Sequence, residues 1–174
     1  KELAHFSFLS RRPMLVVVNV AEAQAAAPPP PGVLSAAKER GCEVLSLCAT
    51  IEAEIADLPA SDQPEFLASL GLTEPVRARF IRAAYHLLDL VSFFTVGEDE
   101  VRAWPIRRGD KAPRAAGRIH SDLERGFIRA EVMHYQDFMS TGSEAKARQE
   151  GKLRLEGKEY VVKEGDIMHV RSSL

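Results

Sequence analysis

The run Met14-Leu15-Val16-Val17-Val18, set off by Pro13, constrains the fold of this chain more than any other feature. Five consecutive apolar residues, mostly β-branched and without alternation, suit a strand covered on both faces, as in the middle of a parallel sheet. A parallel neighbour can be reached only through a crossover of about a dozen or more residues. The sequence supplies one. A polar loop opens at Asn19, Val33 to Arg40 has helical character and ends at Gly41, and Glu43 to Leu47 forms a second short strand. Within the connection, Pro28 to Pro31 cannot continue a helix or a sheet ladder, so Ala21 to Gly32 reads as a surface loop.

After Thr50 the apolar spacing turns helical. Ile51, Ile55 and Leu58 share one face; a second helix spans Asp62 to Leu70 and stops at Gly71. A third runs from about Pro75 to Leu88, with Val76, Phe80, Ala83, Ala84 and Leu87 as its inner stripe. From Val91 the period changes. Val91–Val96, Val101–Ile106, Gly126–Val132, Lys152–Leu155, Glu159–Val162 and Ile167–Val170 read as strands, with tight turns at Glu156-Gly157 and Gly165-Asp166. Helical pieces at Ala115–Leu123 and Ser143–Glu150 lie between them. The chain therefore divides into an α/β part over 1–90 and a compact α+β part over 91–174.

Composition narrows the functional classes. The 174 residues are 45% hydrophobic with a formal charge of -2, which predicts folded domains whose bulk charge favours no polyanion. Cys42 and Cys48 have no disulfide-framework spacing and read as reduced, cytosolic thiols. No apolar run approaches the roughly 18 residues of a membrane span, and nothing resembles a signal peptide. The first residue, Lys1, is not methionine, so residues upstream are expected to be missing.

Catalytic signatures are absent as well. Gly151-Lys152 and Gly157-Lys158 are followed by leucine and glutamate, so there is no G-x-x-x-x-G-K-[ST] phosphate loop, and no aspartate precedes a glycine by three. The histidines at 5, 86, 120, 134 and 169 show no metal-binding spacing, and the contiguous His120-Ser121-Asp122 cannot form a relay from successive helix positions. No catalytic residue and no metal site are expected.

The loop after the first strand reads Asn19-Val20-Ala21-Glu22. In P-loop GTPases the corresponding loop carries N-K-x-D, whose acid accepts hydrogen bonds from guanine N1–H and the N2 amino group. Here valine and glutamate replace the lysine and aspartate. Next in order come Ser46-Leu47-Cys48-Ala49-Thr50-Ile51-Glu52-Ala53-Glu54, Ile81-Arg82-Ala83-Ala84-Tyr85-His86-Leu87-Leu88, Glu100-Val101-Arg102-Ala103-Trp104, Ala112-Pro113-Arg114-Ala115-Ala116-Gly117 and His120 to Val132. Together these stretches resemble the C-terminal half of the Obg-like ATPases of the YchF type. The Ala25 to Pro31 connection and the ending Arg171-Ser172-Ser173-Leu174 depart from that pattern, and Lys1 to Pro13 resembles only the exit from the family's inserted helical domain.

The resemblance implies an α/β fragment of a P-loop NTPase domain followed by a β-grasp-like TGS domain of the α+β class. It further implies that Asn19, Val20, Glu22, Cys48 and Ala49 surround an adenine base, with guanine selection lost. ATP and magnesium belong to the intact parent; none is expected to bind tightly to this chain alone, because the P-loop, both switches and the rest of the N-terminal half are missing. The implied partners are the ribosome or structured RNA, docked through the TGS domain in the cytoplasm, and no membrane.

A local patch gives that docking a chemical basis. Between Val101 and Arg118 stand Arg102, Arg107, Arg108, Lys111, Arg114 and Arg118 against a single acid, Asp110, a charge of +5 in a near-neutral chain. Trp104 lies among them, either filling the core or stacking on a base. A nucleotide-independent RNA or ribosome adapter, or a regulatory module for a partner protein, are the alternatives to a nucleotide-switch fragment.

Overall fold

The computed structural model describes residues 6, 8, 9, 12–97 and 99–173. Much of the N-terminal stretch up to Arg11, read above as the exit from a helical domain, lies outside them. The chain forms two compact units, 1–88 and 89–174.

In the first unit β1 (Leu15–Asn19) and β2 (Glu43–Leu47) pair in parallel, in register from Leu15 opposite Glu43 to Asn19 opposite Leu47. A 3-10 turn (Glu22–Gln24) and α1 (Pro31–Glu39) connect them, and α2 (Ala49–Asp57), α3 (Gln63–Ser69) and α4 (Val76–Leu87) follow. The α1 helix begins two residues before Val33. Pro31 occupies its first turn, where a missing N–H costs nothing and the fixed φ already suits a helix, so the last of the four prolines opens the helix instead of extending the loop. Gly41 follows its C-cap at φ 64°, a left-handed conformation that glycine adopts without steric cost.

Ala25, Cys48, Ile51, Ile55 and Leu67 form the buried cluster of this unit, with Val20, Phe66, Leu70 and Leu72 packed around it. Two expectations fail at its margins. Val17 is 45% exposed, although its run predicts cover on both faces; the sheet face that carries its side chain is only partly covered. Phe80, expected on the inner stripe of α4, is also 45% exposed, and α4 buries no residue fully.

The second unit is a five-stranded mixed sheet in the order β4-β3-β7-β5-β6. The strands β3 (Leu90–Val96) and β4 (Val101–Arg107) form an antiparallel hairpin, β5 (Phe127–His134) pairs antiparallel with β6 (Arg154–Glu156) and β7 (Asp166–Ser172), and β7 runs parallel to β3. The last strand thus joins two antiparallel pairs at the centre. On one face α5 (Ala112–Ile119) and α6 (Ser121–Arg125) close a core of Val91, Phe93, Ile106, Phe127, Val132 and Met168. Ala112, Ala115 and Ala116 are fully buried beneath α5, and their small side chains let the helix approach the sheet closely. On the opposite face α7 (Tyr135–Thr141) and α8 (Glu144–Gln149) bring Phe138 and Ala147 against Met133 and Ile167.

Two readings of this unit are corrected, and one helix is added to them. The helix expected over Ala115–Leu123 is two helices, because His120 is extended (φ -158°, ψ 143°) and caps α6 by accepting Asp122 N–H on Nδ1 at 3.2 Å. His120-Ser121-Asp122 is therefore a helix start, not a run within one helix. Glu159–Val162 is no strand of the sheet. Its backbone pairs with the approach to α5: Tyr160 carbonyl accepts Ala112 N–H at 2.8 Å and Val162 N–H donates to Asp110 carbonyl at 3.0 Å. The α7 helix was not foreseen; His134 caps it by accepting Gln136 N–H at 3.2 Å.

Candidate functional site

Because β1 and β2 run in parallel, Asn19 and Leu47 end side by side and the loops leaving them emerge at the same edge. The crevice beyond the carboxyl ends of parallel strands is where open α/β sheets bind ligands. Asn19 Oδ1 accepts the backbone N–H of Ala49 at 3.0 Å, across 30 residues, and Val20 N–H donates to Leu47 carbonyl at 2.8 Å. Ala49 opens α2, whose own N-cap, Cys48, contributes no side-chain bond. The distant asparagine thus satisfies one of the four N–H groups that every helix start leaves open. Cys48 is buried, while Ala49 and Glu22 are exposed. Of the loop residues expected to form one site, the fold brings Asn19, Val20, Cys48 and Ala49 together; Glu22 lies in the adjoining 3-10 turn.

Since Asn19 acts as a remote cap, Asn19→Ala should destabilise the first unit by about 0.5–2 kcal/mol, the usual cost of a lost helix cap. Thermal melts of the two proteins measure it, and an unchanged midpoint would remove Asn19 from this role. A second loop-fixing contact was not read from the sequence. Both carboxylate oxygens of Glu52 lie 3.0 Å from Val76 N, so Glu52 in α2 holds the start of α4. Its only signal was its place within Ile51-Glu52-Ala53-Glu54.

In the second unit the six cations divide into two groups. Three are engaged locally: the Arg102 guanidinium lies 4.2 Å from the centre of the Trp104 ring, Arg108 Nε pairs with Asp89 at 3.0 Å, and Lys111 Nζ pairs with Glu159 at 2.5 Å. The other three, Arg107, Arg114 and Arg118, line an open cleft of about 230 Å³ together with Asp110, Leu90 and Pro105. Trp104 sits opposite Phe93 on the core-facing side of the hairpin, half-buried, with Nε1–H donated to Thr95 Oγ1 at 2.9 Å. The structure thus favours packing over base stacking for this ring, since Arg102 already occupies it.

A third constellation escaped the sequence reading. Asp166 is fully buried at the start of β7; its Oδ2 accepts Tyr160 O–H at 2.7 Å and Lys163 N–H at 2.8 Å, and Arg154 stands 3.9 Å from Oδ1. Burial, reinforced by the bond to Asp166, pushes the Tyr160 phenol up to about 12. Gly165 makes the preceding turn possible: at φ 79° it is left-handed, and a Cβ there would lie 3.1 Å from His134 Nε2. Among the described residues no group of three metal-ligating side chains occurs, and no helix is long and apolar enough to cross a membrane.

Residues 90–173 match the family model YchF-GTPase_C, described as a protein of unknown function (DUF933). Over 98% of its length the chain is 46% identical to the ribosome-binding ATPase YchF of Bacillus subtilis, covering 48% of that protein. Over almost its whole length the chain is similar to the YchF family of Obg-like ATPases. It corresponds to the family's C-terminal region and spans about half the length of the curated relatives it matches. Human Obg-like ATPase 1 is 38% identical over 92% of the chain, which covers 42% of that protein. The solved Schizosaccharomyces pombe YchF GTPase superposes with a TM-score of 0.83 at 34% identity, over 91% of this chain and 43% of its own. A GTP binding protein from Pyrococcus horikoshii shares the fold, with a TM-score of 0.63 at 21% identity. The mixed α/β architecture is thus that of the YchF family.

Proposed function

We propose that this chain is the C-terminal part of a ribosome-associated ATPase, to which it contributes the base-reading loops of the nucleotide site and an RNA-docking TGS module over residues 91–174. The observation that carries the first half is the bond from Ala49 N–H to Asn19 Oδ1, which ties together two loops that leave neighbouring parallel strands. With its oxygen so engaged, Asn19 keeps its amide N–H groups as donors for a purine nitrogen, and Glu22 offers an acceptor-only carboxylate matched to the exocyclic amino group of adenine. Val20 and Ala49 present backbone beside the base. The phosphates and magnesium would be held by the N-terminal half of the ATPase. The partly uncovered face of β1, where Val17 is 45% exposed, fits a strand made to be packed on both faces in a larger domain.

For the second half, the basic surface between Arg102 and Arg118 supplies the charge, and the central parallel pairing of β3 with β7 between antiparallel neighbours is consistent with a β-grasp-like module. Such a protein works where ribosomes are, in the cytoplasm. A nucleotide-independent adapter is the second reading, favoured by the placement of the basic surface in a unit separate from the nucleotide loops.

Residues 1–174 should show no ATP turnover, because the phosphate contacts that dominate nucleotide affinity and the groups that drive phosphoryl transfer are not in the sequence. They should nevertheless co-sediment with ribosomes at low salt and be released as salt rises. Phosphate release surviving rigorous purification would overturn the fragment reading, and failure to sediment would overturn the docking role.

A further inference from the structure

We propose that the cleft lined by Arg107, Arg114 and Arg118 is a phosphate-group site, and that the backbone of ribosomal RNA seats on the second unit there. The inference rests on the RNA reading above and narrows it from six cations to three.

The division of the patch carries the argument. Arg108 and Lys111 are neutralised by Asp89 and Glu159, and Arg102 lies on the Trp104 ring, so each already has a partner. Among the described residues no ion pair engages Arg107, Arg114 or Arg118. The one acid in the cleft does not balance them. Asp110 Oδ2 accepts the backbone N–H of Arg107 at 3.1 Å, closing the turn after β4. Arg118 is oriented by a single bond from Nε to Pro105 carbonyl at 3.2 Å, and its terminal nitrogens have no described acceptor.

Arg114 and Arg118 are four residues apart on α5 and share a face, an arrangement that disfavours a helix unless an anion lies between the like charges. The cleft is formed by rigid elements, the end of β4 and one face of α5, so little order is lost when a ligand enters. The chemistry selects the ligand. All three cations are guanidiniums, whose planar forks match phosphate oxygens two at a time, and no lysine lines the cleft. About 230 Å³ is room for a phosphate with part of its flanking sugar.

The test compares two double variants of the 174-residue chain, Arg114→Gln with Arg118→Gln and Arg108→Gln with Lys111→Gln, in co-sedimentation with ribosomes and in binding to protein-free ribosomal RNA over a salt series. The cleft variant should bind at least roughly tenfold more weakly, with a salt slope shallower by about two, near one per lost phosphate contact. The ion-paired variant should keep most of the parent slope. Midpoints of both should stay within about 2 °C of the parent, since the changes are on exposed charges.

In the unmutated chain, inorganic phosphate should shift the Nε–Hε resonances of Arg114 and Arg118 but not that of Arg108. If the cleft variant binds like the parent while the other variant weakens, the cleft inference falls and the RNA reading stands. If the parent binds neither ribosomes nor RNA, both fall. Binding to ribosomes but not to protein-free RNA would assign the cleft to an acidic protein. Phosphate shifts without any RNA binding would assign it to a free phosphate ligand and overturn the seating of RNA there.

Discussion

On the base-reading role proposed above, Val20→Lys together with Glu22→Asp, in a protein that joins this chain to a phosphate-binding half, should move nucleotide preference from ATP towards GTP by roughly two orders of magnitude or more, because sites built to hydrogen-bond one ligand strongly reject an analogue that leaves those groups unpaired. The expectation rests on position. Asn19 ends β1 and is fixed to Ala49, so the next three residues leave the sheet from a defined point. Glu22 stands in the 3-10 turn without any described ion pair, and a shorter aspartate in the N-K-x-D pattern would accept the N1–H and N2 amino hydrogens of guanine. Calorimetric titration of both nucleotides into parent and variant gives the ratio directly. An unchanged ratio would remove Glu22 and Val20 from base recognition.

The second large effect should come from Asp166. Asp166→Ala leaves Tyr160 O–H and Lys163 N–H without their acceptor in a half-buried setting, at about 1–3 kcal/mol for each donor stranded. For a unit of this size that lowers the unfolding midpoint by about 10 °C or more. Tyr160→Phe should cost less, about 1–2 kcal/mol, because it removes the bond to Asp166 and the longer one accepted from Arg154 Nη2 at 3.3 Å while Asp166 stays bound to Lys163 N–H.

Tyr160 also predicts a pH dependence. Its folded value of about 12 lies above the ordinary 10.0, so between these values the native state holds a proton that the unfolded chain has released. The contribution is complete below pH 10 and is lost as pH rises through about 12. Urea melts of the parent across that window should therefore lose stability faster than those of Tyr160→Phe. Parallel curves would show that the phenol is not held in its protonated form by the fold. A small change in Asp166→Ala would mean that water replaces the carboxylate.

The family was legible in the residues themselves. Asn19-Val20-Ala21-Glu22, Ser46 to Glu54 and His120 to Val132 appear in family order, and each depends on local chemistry that a sequence carries directly. The parallel pair was equally open to reading. The β-branched run up to Val18, a crossover and Glu43–Leu47 leave little other topology, and Gly41 marks the helix end because its left-handed backbone is a local requirement. What escaped depends on partners far away in the chain.

Glu159–Val162 has the composition of a strand, yet its backbone groups are claimed by Asp110 and Ala112, some 50 positions earlier, and no local pattern records that competition. The extended His120 divides one helical pattern into two because α5 and α6 must both lie on the same sheet face. The basic run was visible as six charges, but which of them are free is settled by Asp89 and Glu159, acids outside the run that only folding brings to Arg108 and Lys111. Sequence determined the charge and the family. Tertiary structure alone decided which guanidiniums keep an open face, because neutralisation depends on distance in space and not on distance along the chain.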